Sequence, residues 1–168
     1  MKRVVSAVIG LALGVAVGPN MVSATLSPGN GPDYDLAQGT GKISAAGFEG
    51  QFRVIAKSGP AGEDAQGYVL FQADSPTPNA ELRGRVTCLA VTGSQATIGG
   101  ELDTPFVSGS SVFSGFALGV VDNGQGGNAP ADQAVATFSA TPPAVCPPLP
   151  SLGQPFQQGN FAVHDAMP

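Results

Sequence analysis

The sequence predicts an exported, all-β chain whose single antiparallel domain is a closed barrel in slight preference to a two-sheet sandwich. Short β-rich runs recur along the chain and are separated by turn residues at the spacing typical of sandwiches and barrels. Outside the N-terminal apolar run, no window carries apolar residues at helical spacing without an interrupting Gly or Pro, of which the chain has 24 and 15. A barrel is preferred because closure removes edge strands that so uncharged a chain has little means to protect.

The N-terminus has the pattern of a secretory signal peptide. Lys2 and Arg3 precede an apolar run, Val4–Val17, and the small residues of Val22-Ser-Ala24 follow a Gly-Pro break. We therefore expect a signal peptide over residues 1–24, cleaved after Ala24, and a secreted or extracytoplasmic protein. The apolar run ends before the roughly 20 residues that a transmembrane helix needs, so we expect no stable membrane insertion.

The charge balance narrows the class of partner. The chain carries a formal charge of −5, and removal of the two N-terminal basic residues with the signal peptide makes the mature charge −7. An acidic chain repels nucleic-acid phosphates, and no nucleic acid is expected as a partner. The length that remains after removal of the signal peptide suits one domain. We expect the mature protein to be a monomer.

A flexible leader is predicted over residues 25–38, and the folded domain over 39–166. Within the domain a short first strand near 42–45 is expected, and Phe52–Lys57 alternates with the period of two of a half-buried strand. Leu82, Val86 and Cys88 are expected to share one face of a further strand, which a tight turn at Gly93-Ser94 joins to the next. The other predicted strands cover residues 66–73, 96–102, 112–121, 134–140 and 160–165.

The only two cysteines, Cys88 and Cys146, are predicted to form a disulfide, because exported proteins keep such pairs oxidised. Cys146 lies in a proline-rich arm, residues 141–150, which favours extended backbone and cannot donate into a sheet. Our interpretation is that the disulfide clamps this arm against the strand of Cys88 and covers part of the domain.

Three elements of the sequence resemble a group of small exported proteins of actinobacteria and related bacteria. They are the hairpin that begins Val86-Thr-Cys-Leu-Ala-Val, the element Val120-Val-Asp-Asn-Gly124 with the late Cys146, and the C-terminal run Gly159-Asn-Phe-Ala-Val-His-Asp-Ala166. The resemblance extends from about Gly39 to Ala166. It implies an exported all-β domain with paired cysteines, and it implies no activity and no catalytic residues.

The side chains offer little for catalysis, and we expect no enzyme and no cofactor. His164 is the only histidine, so a Ser-His-Asp triad would need it together with a distant carboxylate, since Asp165 points to the opposite face of a strand. A hydrolase remains a distant third hypothesis. Paired-carboxylate glycosidase chemistry also stays open, because spatial separation decides it. The carboxylates concerned are Glu49, Glu81, Glu101 and Asp103.

The loop from Asp122 to Asp132 supports two interpretations. Asp122, Asn123, Asn128 and Asp132 offer oxygen ligands on a glycine-rich segment, which suggests a weak calcium site. Alternatively, Asp, Asn and Gly serve there only for the backbone geometry of a turn.

Two non-enzymatic functions follow. In the first, the barrel holds a small apolar ligand in a cavity, although side chains of an eight-stranded barrel can also fill the interior as a solid core. The candidate lining residues are Phe52, Val54, Phe71, Ile98, Phe116 and Phe138. In the second, an envelope or extracellular interaction protein acts through an outer face, with Arg53, Arg83 and Arg85 as contacts. These arginines belong to the first half of the mature chain, which holds all of its basic residues. This uneven distribution of charge suggests an anion-binding face. Alternatively, the basic residues only occupy solvated outward positions on strands.

Overall fold

The structure is a computed structural model that describes residues 33–45, 48–75, 80–125, 128–148 and 153–166. These residues form nine β-strands and contain no helix, so none of them belongs to a helix that would span a membrane. The strands are β1 (Asp35–Ala45), β2 (Phe48–Ser58), β3 (Gln66–Ser75), β4 (Ala80–Thr92), β5 (Gln95–Ser108), β6 (Ser111–Val121), β7 (Gln133–Ser139), β8 (Gln154–Pro155) and β9 (Gln158–His164). The predicted signal peptide, residues 1–24, lies outside the described residues.

The strands form one antiparallel sheet in the order β8-β7-β6-β5-β4-β3-β2-β1-β9. Each strand from β1 to β8 pairs with its neighbour in sequence, while β9 returns to pair with β1. The sheet curls into a half-barrel. The predicted closed barrel is wrong, because β8 and β9 remain the two ends of the sheet, and the alternative of two packed sheets is not seen either.

One hydrophobic core lies on the concave side of the sheet. In β2 the side chains of Phe52, Val54 and Ala56 are buried, whereas those between them are exposed, as the period of two predicts. The other strands contribute in the same way. The core also includes Ala37, Val69, Phe71, Val86, Leu89, Ala96, Ile98, Leu102, Phe116, Leu118, Val120, Ala134, Phe156 and Phe161.

Two strand boundaries and one additional strand differ from the sequence prediction. Strand β1 begins at Asp35, so the last residues of the predicted flexible leader are part of the sheet. Strand β5 continues past Leu102 to Ser108 and forms a long hairpin with β6. Strand β8 was not predicted, since its two residues are too few to show a period. The predicted turn is confirmed: Gly93 has a φ of 58°, in the left-handed region that glycine adopts without steric cost.

A β-bulge in β4 reverses the expected orientation of Cys88. The register against β5 shifts between Val86 and Cys88, so that Thr87 is an additional residue on β4. Beyond the bulge, Leu89 is buried in the core, and Cys88 faces outward opposite Gly99. Alternation alone had placed Cys88 on the same face as Val86, and that prediction is wrong.

The outward orientation of Cys88 brings the proline-rich arm onto the convex side of the sheet. Cys88 and Cys146 form the predicted disulfide, with a Cα–Cα distance of 5.4 Å. A Cβ atom on Gly99 would lie 2.8 Å from Cγ of Pro143, so glycine there lets the arm approach β5 closely. Under the arm, Thr97 is only 5% exposed although it faces outward. The disulfide therefore clamps the arm against β4 and β5, as the sequence suggested.

Aspartate side chains connect the two ends of the sheet. The carboxylate of Asp132, just before β7, accepts the backbone N–H of Phe161 in β9 at 2.7 Å. That of Asp122, just after β6, accepts the N–H of Val163 at 3.1 Å. These N–H groups belong to the edge of β9 that has no partner strand. The two carboxylates thus accept backbone N–H groups that, in a closed barrel, would bond with the carbonyl groups of a neighbouring strand.

Candidate functional site: the arginine face

The three arginines singled out in the sequence lie together on the convex side of the sheet. Arg53 of β2 is opposite Leu70 of β3, and Leu70 is opposite Arg83 of β4. In the next row of the sheet, Ile55 is opposite Tyr68, and Tyr68 is opposite Arg85. These side chains point outward because they alternate with buried residues on the same strands. We call the six residues Arg53, Ile55, Tyr68, Leu70, Arg83 and Arg85 the arginine face.

An open cleft of about 470 Å³ lies on the arginine face. Arg53, Arg83 and Arg85 line it together with Tyr68 and Leu70, which supply an apolar floor. Tyr68 is 43% exposed and the neighbouring Ile55 is 37% exposed, so both offer apolar surface to a ligand. The cleft combines cationic groups with a flat apolar surface, a combination suited to a ligand that has an acidic group and an apolar side.

The three arginines differ in their pairing. Arg83 forms an ion pair with Glu81 at 2.6 Å, and Arg85 forms one with Glu101 at 3.0 Å. Arg53 makes no ion pair or hydrogen bond with any residue in the described parts of the chain. Its exposed guanidinium therefore keeps all of its donors available for an incoming anion.

The carboxylates considered for glycosidase chemistry are mostly held in ion pairs. Glu49 pairs with Lys42 at 2.7 Å, while Glu81 and Glu101 pair with the two arginines of the cleft. Hydrogen bonds from Arg83, and then from Gln72, lower the pKa of Glu81 below its ordinary value. A general acid needs the opposite change, because it has to be protonated near neutral pH. The expectation that the chain is not an enzyme stays a prediction.

A second depression adjoins the cleft at Arg53. It has a volume of about 400 Å³ and is lined by Gln38, Thr40, Ile55, Gln125 and Asn160, among others. A third, of about 440 Å³, shares Gln125 and Asn160 with it and extends along the loop between β6 and β7. The exposed lining side chains beyond Arg53 are mainly uncharged amides and a hydroxyl.

The candidate cavity residues Phe52, Phe71 and Phe116 lie on the concave side, away from the arginine face. The ring of Phe52 is 5.3 Å from that of Phe156 and 5.7 Å from that of Phe161, measured between centroids. The ring of Phe71 is 5.9 Å from that of Phe116. Val54 and Ile98 are buried beside them, and Phe138 packs against Phe71 at 5.5 Å. The rings thus occupy the interior by packing on one another.

The oxygens of Asp122 and Asp132 are already engaged. Asp132 accepts the N–H groups of Asn123 and Phe161, and Asp122 accepts those of Gly124 and Val163, at distances of 2.7 to 3.1 Å. A calcium ion would have to displace these donors. Within the described ranges no group of three or more His, Cys, Asp or Glu residues is arranged to hold a metal ion. Calcium binding by this loop stays a prediction.

The single histidine is separated from the buried polar residues near it in the sheet. His164 is opposite Leu36 of β1, and it faces outward because the adjacent Val163 packs on the core. Asp35 and Ser58 are opposite each other on the concave side, and each is 2% exposed. The register therefore places this serine and aspartate on the other side of the sheet from the imidazole, and a triad of these three residues is not assembled.

The arginines were predicted from the sequence as site residues, whereas Ile55, Tyr68 and Leu70 were not. Their signal was present, since Ile55 lies on the Arg53 side of β2 by the same alternation that placed the arginine outside. Comparison of the chain with family models, with curated proteins and with solved structures finds no match. The resemblance to exported actinobacterial domains therefore stays a prediction.

Proposed function

We propose that this chain is an exported, non-enzymatic binding protein that holds an acidic ligand on the arginine face. The observation that carries the proposal is Arg53, an exposed arginine without an ion pair to any described residue, next to half-exposed apolar side chains. Arginine binds carboxylates through parallel N–H donors, which gives both charge and geometry. Arg83 and Arg85 add cations on the same cleft, although their own carboxylate partners reduce their contribution.

The apolar floor defines the second requirement for the ligand. Tyr68 is an aromatic residue that is 43% exposed, and Leu70 lies between Arg53 and Arg83 in the register. A ligand with a flat apolar side would cover this floor while its acidic group reaches Arg53. A sugar acid has both features, because the C–H groups of its ring form an apolar side and its carboxylate is acidic.

The overall charge favours ligands with few, separated charges. The mature chain is expected to carry −7, so a dense polyanion such as a nucleic acid would be repelled by most of the surface. A single carboxylate meets the local positive charge of Arg53 without that penalty. An acidic component of an extracellular envelope matches this description.

An apolar ligand inside the half-barrel is the less supported alternative. Phe52 and Phe71 lie within ring-packing distance of their neighbours, at 5.3 to 6.4 Å between centroids. A ligand among these rings would have to displace aromatic side chains from close-packed contacts, at a cost that the outer cleft does not impose.

The test is an NMR titration of the 15N-labelled mature protein with galacturonate, with neutral galactose as the matched probe. We expect galacturonate to shift backbone signals of β2, β3 and β4 near the arginine face and galactose to shift them far less. Shifts confined to residues around Phe52 and Phe116 would support the interior site instead. Equal shifts with the two sugars, or none with galacturonate, would contradict the proposal.

A further inference from the structure

The cleft on the arginine face is one section of a longer groove. It shares Arg83 and Asp103 with a depression beside residues 103–106 of β5, and Arg53 with the depression over β1 and β2. That depression in turn shares Gln125 and Asn160 with the one beside the β6–β7 loop. We call the surface that these adjoining depressions cover, from Asp103 across Arg53 to Asn160, the outer groove.

The outer groove crosses six adjacent strands, in the order β5-β4-β3-β2-β1-β9. Neighbouring strands are separated by about 4.8 Å, so the groove extends for about 24 Å. A single sugar would occupy one section of this length. A linear polymer would occupy all of it.

The two ends of the groove have different chemistry. The end near β4 and β5 carries the paired arginines with their carboxylates, and Arg53 lies near the middle. The end toward β9 presents exposed, uncharged side chains: Gln38, Thr40, Gln125 and Asn160. Amide and hydroxyl groups both donate and accept hydrogen bonds, as sugar hydroxyl groups do.

We propose that the outer groove binds a linear polysaccharide in which single uronic acids are separated by neutral sugars. One uronic acid carboxylate contacts Arg53, its sugar ring lies over Tyr68, and the hydroxyl groups of the following sugars bond with Gln38 and Asn160. This inference rests on the proposed function and adds the ligand class and the direction in which the ligand lies.

The direction of the groove favours a polysaccharide over a peptide. Extended peptides bind mainly by adding a strand to a sheet edge, where a row of free N–H and C=O groups lies parallel to the peptide. The outer groove instead crosses the strands, whose backbone groups already pair within the sheet. Side chains spaced by the strand separation provide the contacts, and these are the amides and the hydroxyl just described.

The test is calorimetric titration with galacturonate and with linear trisaccharides and pentasaccharides in which one galacturonate is followed by neutral sugars, with maltopentaose as the neutral probe and poly-L-glutamate as the acidic peptide. We expect the pentamer to bind about tenfold or more tightly than the monomer, because it adds two or three hydrogen bonds. The double variant Gln38→Ala/Asn160→Ala should lose this gain, so that it binds the pentamer no more tightly than the monomer. Gln95→Ala removes an exposed amide at the far end of β5 and is the matched control.

Each result separates this inference from the proposed function. If the monomer binds at Arg53 and the pentamer binds no more tightly, the proposed function survives and the polysaccharide inference is wrong. If neither sugar acid binds, both are wrong. If maltopentaose binds as tightly as the acidic pentamer, the acidic group is not recognised. If poly-L-glutamate binds as tightly as the acidic pentamer, the groove is assigned to acidic peptides. Either result overturns the inference.

Discussion

The carboxylate of Asp132 accepts the backbone N–H of Phe161 at 2.7 Å and thereby connects the start of β7 to the free edge of β9. The same carboxylate accepts the N–H of Asn123 at 2.9 Å, so both of its oxygens are used. Asp132 is 5% exposed. One buried side chain therefore joins the two ends of the sheet, and it also positions the β6–β7 loop that carries Gln125 against β9.

Asp132→Asn should destabilise the protein. An amide has one accepting oxygen instead of two, so one of the two backbone N–H groups loses its partner, which costs about 1–3 kcal/mol in a buried site. Urea unfolding of the variant measures the free-energy change. The matched control is Asp103→Asn, at an exposed position on β5, and equal stability of the two variants would contradict the structural role of Asp132.

Replacing both cysteines by serine should remove much of the stability of the fold. The disulfide closes a loop with a sequence separation of 58 residues. The chain-entropy relation assigns a loop of this length about 4 kcal/mol. Denaturant unfolding of Cys88→Ser/Cys146→Ser against the oxidised native protein measures the loss.

The proline-rich arm provides a second readout for the same variant. Without the disulfide, limited proteolysis should cut near the exposed Val145 sooner than in the native protein. Unchanged cleavage would show that packing of Pro143 on Gly99 holds the arm without the covalent bond.

Asp35 should make the stability depend on pH in the direction opposite to most carboxylates. Burial is the largest effect on Asp35, and it raises the pKa of the carboxyl above the ordinary value of 3.8. The hydrogen bond from the Ala166 N–H lowers this pKa. The charges of Asp165 and Glu63 raise it, and the charge of His164 lowers it. The folded state thus binds the Asp35 proton more tightly than the unfolded state. The contribution of Asp35 to stability is largest below pH 3.8 and falls as pH rises through the raised value.

Comparison with Asp35→Asn isolates this effect, because asparagine keeps an oxygen for the Ala166 N–H and does not titrate. Unfolding free energies are measured for both proteins from pH 3 to pH 7. The native protein should lose stability relative to the variant as the pH rises. A constant difference, or a gain by the native protein, would contradict the assignment.

The sequence predicted the all-β class, most strands, the disulfide and the outward orientation of the arginines, because each follows from local alternation or from the presence of only two cysteines. It did not predict the bulge at Thr87, since an additional residue changes the facing of Cys88 without altering the residue types around it. The connection between Asp132 and Phe161 depends on how the ends of the sheet meet, which no local pattern contains.

In the candidate site too, some features follow from local sequence patterns and others depend on how the strands pair. Alternation placed Arg53, Arg83 and Arg85 outside, but only the register between strands puts Arg53 and Arg83 on either side of Leu70. The sequence alone treats the three arginines as equivalent. In the structure Arg83 pairs with Glu81 and Arg85 pairs with Glu101, so Arg53 is the arginine that is available to a ligand.

The most direct test of the arginine face compares two variants of β2, Arg53→Gln and Lys57→Gln, for galacturonate affinity. Both remove one positive charge from the convex side of the same strand, and Lys57 lies over the ring of Tyr34 at 3.9 Å, outside the cleft. We expect Arg53→Gln to weaken binding about tenfold or more, as the loss of a charge-assisted hydrogen bond implies, and Lys57→Gln to leave it nearly unchanged. Equal affinities of the two variants would contradict the assignment of the ligand to Arg53.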